Sequence, residues 1–316
     1  EGGGGGGGGG SGQLAASFVN LLEDQEPEVR TTAALQLAAV ARLFRTPQTQ
    51  SVLLKPLPSL ANDPSHYVRG AVGSVLMEVA VVVDRDTVLQ RIIPVFLKLL
   101  KDPNPEVRLN VISKLDVARD VVGSDVISQS LLPAVCELAM DSKWRVREAV
   151  IAQVPVLAKQ LQADFFEQKL NRLCMSWLGD AVHSVRRAAV NNLARLAEVY
   201  GGQWAEQHIT PEIASLSGHK SYLFRLTALY AIRGIAGILG QEVTTTVLLP
   251  MALKLEQDVV PNVRMNLALT LGTICQHIEV QTLQSTVRPL LHKLTADQDP
   301  DVKDNAFKAL ECLDRA

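Results

Sequence analysis

Arginine follows valine at a fixed interval of 39 residues along this chain: Val29-Arg30, Val68-Arg69, Val107-Arg108, Val146-Arg147, Val185-Arg186 and Val263-Arg264. Phe224-Arg225 and Val302-Lys303 fill the two remaining slots. An acid stands six residues before the basic position at Asp24, Asp63, Asp102, Asp141, Asp180, Asp258 and Asp297, and only His219 breaks that column. Pro94, Pro133, Pro211, Pro250 and Pro289 form a third column in the same register. A chain that repeats at this period builds one supersecondary unit many times and buries its core by stacking the copies.

Each unit reads as two helices. Ile93, Phe96, Leu97 and Leu100 make an apolar stripe at i, i+3, i+4, i+7 along a first helix. Asn104 is then a good N-cap, Pro105 suits the first helical position, and Glu106 favours the positive end of the helix dipole. Val107, Val111, Leu115, Ala118 and Val122 continue a second helix. The turn chemistry recurs at Glu26-Pro27-Glu28 and Asp299-Pro300-Asp301. Helix pairs of this length fit the HEAT class. The sequence therefore predicts an all-α fold, an α-solenoid superhelix of eight repeats. Equal cuts fall at 12–50, 51–89, 90–128, 129–167, 168–206, 207–245, 246–284 and 285–316. The proline column lies inside the first helix and is expected to kink it. Asp at the turn and Arg on the second helix are expected to form a ladder between repeats. Function is expected where a column departs from its pattern.

Composition narrows the classes. Aromatics are 4% and apolar residues 47%, which suits packed helices better than a β-sandwich. A net charge of −2 argues against a nucleic-acid partner. The apolar run near Val79 to Val83 is too short to span a bilayer. Cys136, Cys174, Cys275 and Cys312 all sit in apolar helical patterns and read as buried, reduced thiols. Residues 1–12, EGGGGGGGGGSG, have no side chains to bury and are expected to form a disordered tail ahead of a solenoid over 13–316.

No catalytic or metal site is legible. None of His66, His183, His208, His219, His277 and His292 is followed by Glu, and no Cys/His set has zinc spacing. There is no recognisable nucleophile motif and no phosphate loop outside the glycine tract. The chain reads as a non-enzyme that needs no cofactor. The position two residues before the Val-Arg pair carries more information: Pro27, His66, Pro105, Trp144, His183, Tyr222, Pro261, Pro300. Repeats four and six place Trp144 and Tyr222 on a turn, Arg145 follows Trp144, and the seventh turn carries Val259 and Val260. Trp, Tyr and Arg are the residues most enriched at binding hot spots. Repeats four to eight are expected to present these residues in a row. Trp177 and Trp204 lie within helical patterns and read as packing residues.

Several stretches resemble one family, in its order and spacing: PEVRLNVISKLD (105–116), SQSLLPAVCELAMDSKWRVREA (128–149), FFEQKLNRLCMSWLGD (165–180), NVRMNLA (262–268) and LTADQDPDVK (294–303). The chain over residues 14–316 resembles the last eight of the fifteen HEAT repeats of the scaffold, or A, subunit of the type 2A protein phosphatase. The resemblance implies a non-catalytic scaffold in the cytoplasm, and in the nucleus too. Its partner would be the phosphatase catalytic subunit, gripped by turns of the C-terminal repeats. It implies contact roles for Trp144, Arg145, Tyr222, Val260 and Leu294, with Lys143, Asn262 and Asp297 in the same turns. His183 and Val259 join them from the turn column. The family's first seven repeats have no counterpart here, so a fragment, an incomplete gene model and a shortened homologue all fit. Regulatory B-type subunits, which those repeats mainly receive, are the second class of partner. The rival expectation is a HEAT adaptor or transport factor with unrelated protein partners.

Overall fold

The computed structural model describes residues 7–44, 46–123, 127–159, 161 and 163–315. The fold is an all-α solenoid, and among the described residues there is no strand. The chain divides into two compact units, residues 1–161 and 162–316. Each stacks four helix pairs.

In the first unit, helix Pro27–Leu43 packs on His66–Ala80, which packs on Pro105–Ile112; Trp144–Ala158 closes the stack on Pro105–Ile112 and Leu115–Val122. In the second unit the order is His183–Tyr200, Tyr222–Val243, Pro261–Ile274 and Pro300–Arg315. These second helices bury the predicted positions, among them Val68, Val107, Val111, Leu115 and Ala118 in one unit and Val185, Leu193, Val263 and Val302 in the other. Trp177 and Trp204 are buried as expected. Some second helices approach closely because a glycine faces the neighbour. A Cβ on Gly272 would stand 2.9 Å from both Cα and Cβ of Ala309. Gly272→Ala adds about 0.5–1 kcal/mol of helix propensity but overpacks that contact at a cost of about 1–3 kcal/mol. Its thermal midpoint should fall, whereas Gly12→Ala, with nothing within 4 Å, should leave the midpoint level or raise it.

The period is as the sequence predicts, but the phase differs. Helix pairs open at Pro47, Arg85, Gly202 and Val280, upstream of the equal cuts at 51, 90, 207 and 285. The proline column also takes a form of its own. Pro94, Pro133, Pro250 and Pro289 each occupy the first turn of an α-helical segment that directly follows a turn of π-helix, at 88–92, 127–131, 244–248 and 283–287. Proline lacks the N–H that would continue the α ladder, and the wider π turn accommodates its ring. The predicted kink is thus a π-to-α junction. Proline is not its sole cause, because repeat five makes the same turn at 167–171 with Arg172 in the column.

Three other expectations need adjustment. Residues 1–6 of the glycine tail lie outside the described residues, but Gly7–Leu22 is one helix, so helix runs back into the stretch expected to be disordered. Cys174 and Cys275 are buried and Cys136 is half-buried, while Cys312 on the last helix is exposed. Tyr222–Leu253 is long and apolar enough to cross a membrane by length and composition. Gly240, at φ 78°, breaks it, and Leu226, Leu229, Ile232 and Ile235 are buried against protein. Those features are those of a core helix in a stacked repeat.

Candidate partner-binding turns

One device recurs from turn to turn. The column aspartate accepts the backbone N–H two residues on: Asp63 from Ser65 at 2.9 Å, Asp102 from Asn104 at 2.9 Å, Asp141 from Lys143 at 2.8 Å and Asp258 from Val260 at 2.9 Å. The column arginine of the same repeat donates Nη1 to the aspartate's own carbonyl, as Arg69 does to Asp63 at 2.7 Å. Its other face reaches the aspartate of the next repeat. Arg30 bonds Asp63, Arg69 bonds Asp102, and Arg108 lies 2.9 Å from Asp141 in the first unit. In the second unit Arg225 bonds Asp258 and Arg264 bonds Asp297. The ladder the sequence predicts is therefore present. Within each unit a rung ties one turn to the next and fixes the backbone from which exposed side chains project.

The rung from repeat five to repeat six is missing. His219 stands in the acid's place, and its Nδ1 accepts the Ser221 N–H at 3.0 Å. The imidazole thus performs the local half of the aspartate's task and supplies no carboxylate. Arg186, 5% exposed, keeps its bonds to the carbonyls of Asp180 and Ala181. Its Nε is buried with no hydrogen-bond partner. His219→Asp restores the missing acceptor. Charge-assisted hydrogen bonds contribute about 1.5–3 kcal/mol, set against about 0.5–1.5 kcal/mol for the lost T-shaped contact of His219 with Phe224. A higher urea midpoint is the expected result, and a lower one would show that Arg186 does not lack a counterion.

The turn of repeat four presents an exposed aromatic–cation pair in the first unit. Trp144 is the first residue of its helix and is 37% exposed. The Arg145 guanidinium carbon lies 5.5 Å from the Trp144 ring centroid, and Lys143 is exposed at the cap. The base is rigid: the Lys143 N–H is held by Asp141, and Arg147 donates to the Asp141 carbonyl at 2.7 Å. A large aromatic ring under a cation, on a backbone already fixed, loses little entropy on binding.

In the second unit Tyr222 is 41% exposed at the first position of its helix. Val259 is 87% exposed in the next turn, and Val260 caps the following helix, half-buried. The Arg225–Asp258 rung sets these two turns side by side. His183 is exposed with its ring 6.3 Å from that of Tyr230, and exposed Asn262 accepts from Asn266 Nδ2 at 2.9 Å.

Two of the expected contact residues are engaged within the unit itself. Leu294 is 4% exposed and belongs to the core of helix Arg288–Leu294, because its stripe faces the adjoining helix Pro300–Arg315. Asp297 accepts from Arg264 Nε and Nη2 and from the Asp299 N–H, so its oxygens serve the ladder. The sequence reading also missed exposed residues. Met140 borders the Trp144 turn, Leu223 follows Tyr222, and Tyr67 follows His66 with ring centroids 4.1 Å apart. Tyr67 and Leu223 were visible one position after the turn column, which otherwise holds Glu28, Glu106, Arg145, Ser184, Asn262 and Asp301.

Stacked helix pairs tied through an Asp–Arg ladder define the class: the chain is an α-solenoid of HEAT repeats. Residues 12–84 and 85–162 match a family model described as PPP2R1A-like HEAT repeat. Residues 170–200 and 248–278 match the general HEAT repeat model. Among solved structures, a mutant of Kap121p is similar over 96% of this chain and 33% of its own, at TM-score 0.74 and 16% identity. Kap95p in complex with RanGDP is similar over 95% and 40%, at TM-score 0.69 and 14% identity. Importin beta is similar over 96% and 47%, at TM-score 0.60 and 14% identity. This chain thus spans a third to a half of their length, and the likeness is one of fold. Among the described residues no group of three or more His, Cys, Asp or Glu is placed to hold a metal.

Proposed function

We propose that this chain is a non-catalytic scaffold for a serine/threonine phosphatase, binding the catalytic subunit through the turns of repeats four, six and seven. The exposed Trp144–Arg145 pair carries the reading, on a turn that the ladder holds rigid. The PPP2R1A-like match over residues 85–162, which includes this turn, supports it. So does the resemblance of the SKWRVR stretch to the type 2A phosphatase scaffold. Such a scaffold acts by holding an enzyme and a substrate or regulatory protein together, which raises their effective concentration. Regulatory B-type subunits would be its second class of partner, and it would work in the cytoplasm and the nucleus.

The test is co-elution of the purified chain with the catalytic subunit on a sizing column. A stable complex with the wild type, lost in Arg145→Glu, supports the proposal. Separate elution of wild-type chain and catalytic subunit would sink it. The second reading is a transport factor, favoured by the likeness of fold to the karyopherins, including Kap121p bound to Nup53p. That reading gains if the chain passes over the catalytic subunit and takes up nuclear-pore or cargo proteins instead.

A further inference from the structure

The ladder arginines Arg30, Arg69, Arg108, Arg225 and Arg264 face carboxylates in the neighbouring repeat. Arg187 and Arg233 stand outside the ladder, with no acid partner among the described residues. Neither forms an ion pair or a hydrogen bond to any described residue, and Arg233 has only the ring of Tyr230, 4.8 Å from its guanidinium carbon. Burial holds the Arg233 pKa below its usual value, with the Tyr230 hydroxyl acting in the opposite sense. A half-buried guanidinium without a counterion is costly unless something anionic reaches it.

Both arginines open into one groove of about 510 Å³ across the second helices of repeats five, six and seven, inside the second unit. His183, Arg187 and Asn191 line it from repeat five, Tyr230, Arg233 and Gly234 from repeat six, and Asn266 and Leu269 from repeat seven. No Asp or Glu is among the lining residues. At Gly234 the two helices lie close, since a Cβ there would touch Val190 Cγ1 at 3.6 Å and Ala194 Cβ at 3.9 Å. The floor is apolar at Val190 and Leu269, so the groove offers cations on two successive helices around a hydrophobic middle.

We infer that this groove binds an acidic peptide segment of a partner protein, lying across repeats five to seven. Carboxylate side chains would bond Arg187 and Arg233, and an apolar side chain between them would rest on Val190, Tyr230 and Leu269. The guanidinium fork matches a carboxylate in two parallel hydrogen bonds. The stacked ring of Tyr230 fixes the plane of Arg233 and leaves its edge for that contact. An extended peptide fits better than a compact anion, because the polar groups are spread over three helices rather than converging on one point. The chain's own charge of −2 makes the groove a local reversal of sign, which confers selectivity for an acidic partner. This surface is formed by helix faces, and the proposal stands independently of the phosphatase reading.

The full chain is titrated with a fluorescent peptide alternating glutamate and leucine, and with the same peptide carrying glutamine for glutamate. Saturable binding of the glutamate peptide is expected, with affinity falling at least about tenfold in Arg233→Gln and in Arg187→Gln, and falling steeply with salt. The glutamine peptide should not bind. Circular dichroism confirms that each variant is folded, and Arg42→Gln, an exposed arginine of the first unit, should bind the peptide as the wild type does. Equal affinity in both arginine variants, no binding by the wild type, or tighter binding of a glutamine peptide bearing a single phosphoserine would each overturn the inference.

Discussion

Asp102→Ala is expected to destabilise the first unit by about 3–5 kcal/mol, the usual cost of removing one partner from a buried, hydrogen-bonded ion pair. Asp102 accepts from Arg69 Nε at 2.6 Å and Nη2 at 3.0 Å, and from the Asn104 N–H at 2.9 Å. The two side chains are only 13% and 4% exposed. Alanine strands a shielded guanidinium and an orphan backbone donor at once. Asp102→Asn keeps an oxygen for Asn104 and should cost less. Urea denaturation followed by circular dichroism orders the three proteins, and hydrogen exchange should show repeats two and three opening first, since stacked repeats are held by nearest-neighbour contacts. The same rung sets the response to acid. Burial pushes the Asp102 carboxyl up, but the Arg69 bonds, the Asn104 N–H and the charges of Arg69 and Arg108 outweigh it, so it is held below its ordinary 3.8. Asp63 and Asp297 are lowered in the same way. A carboxyl with a depressed folded-state pKa contributes fully above its unfolded value, and that contribution disappears as pH falls through the folded value. Stability should therefore drop below about pH 4, and less steeply in Asp102→Asn.

Trp144→Ala should do the reverse: little to stability and much to binding. Trp144 lies at the first helical position with over a third of its surface free, so its loss leaves no cavity in the core. At an interface, truncating a central aromatic anchor costs about 2–4 kcal/mol, which is about 30- to 1,000-fold in affinity. Arg145→Ala removes the cation above the ring and should cost less. The pair should be non-additive, because each side chain positions the other.

The period, the ladder and the Asn104 cap were legible because each repeat performs the same physical task with the same residues. A carboxylate two residues before a turn N–H and a guanidinium one repeat away leave fixed spacings in the chain. The π-to-α junction was not legible, because a proline in a first helix looks like an interior kink until the π turn before it is seen. The burial of Leu294 was not legible either, because the resemblance that singled it out does not tell which way the last residue of that helix faces. The exposure of Tyr67, Leu223 and Met140 was not legible, because an apolar residue beside a turn has the same sequence signature whether it faces the neighbouring helix or solvent. The groove of Arg187 and Arg233 left no local signal, since its walls come from helices a full repeat apart.

The most direct measurement is a calorimetric titration of the phosphatase catalytic subunit into wild-type chain and into Trp144→Ala, with thermal midpoints recorded for both. The account predicts a stoichiometric complex with the wild type, at least about thirtyfold weaker binding by the variant, and midpoints that coincide. Equal affinities at equal stability would contradict it and place any partner surface elsewhere on the chain.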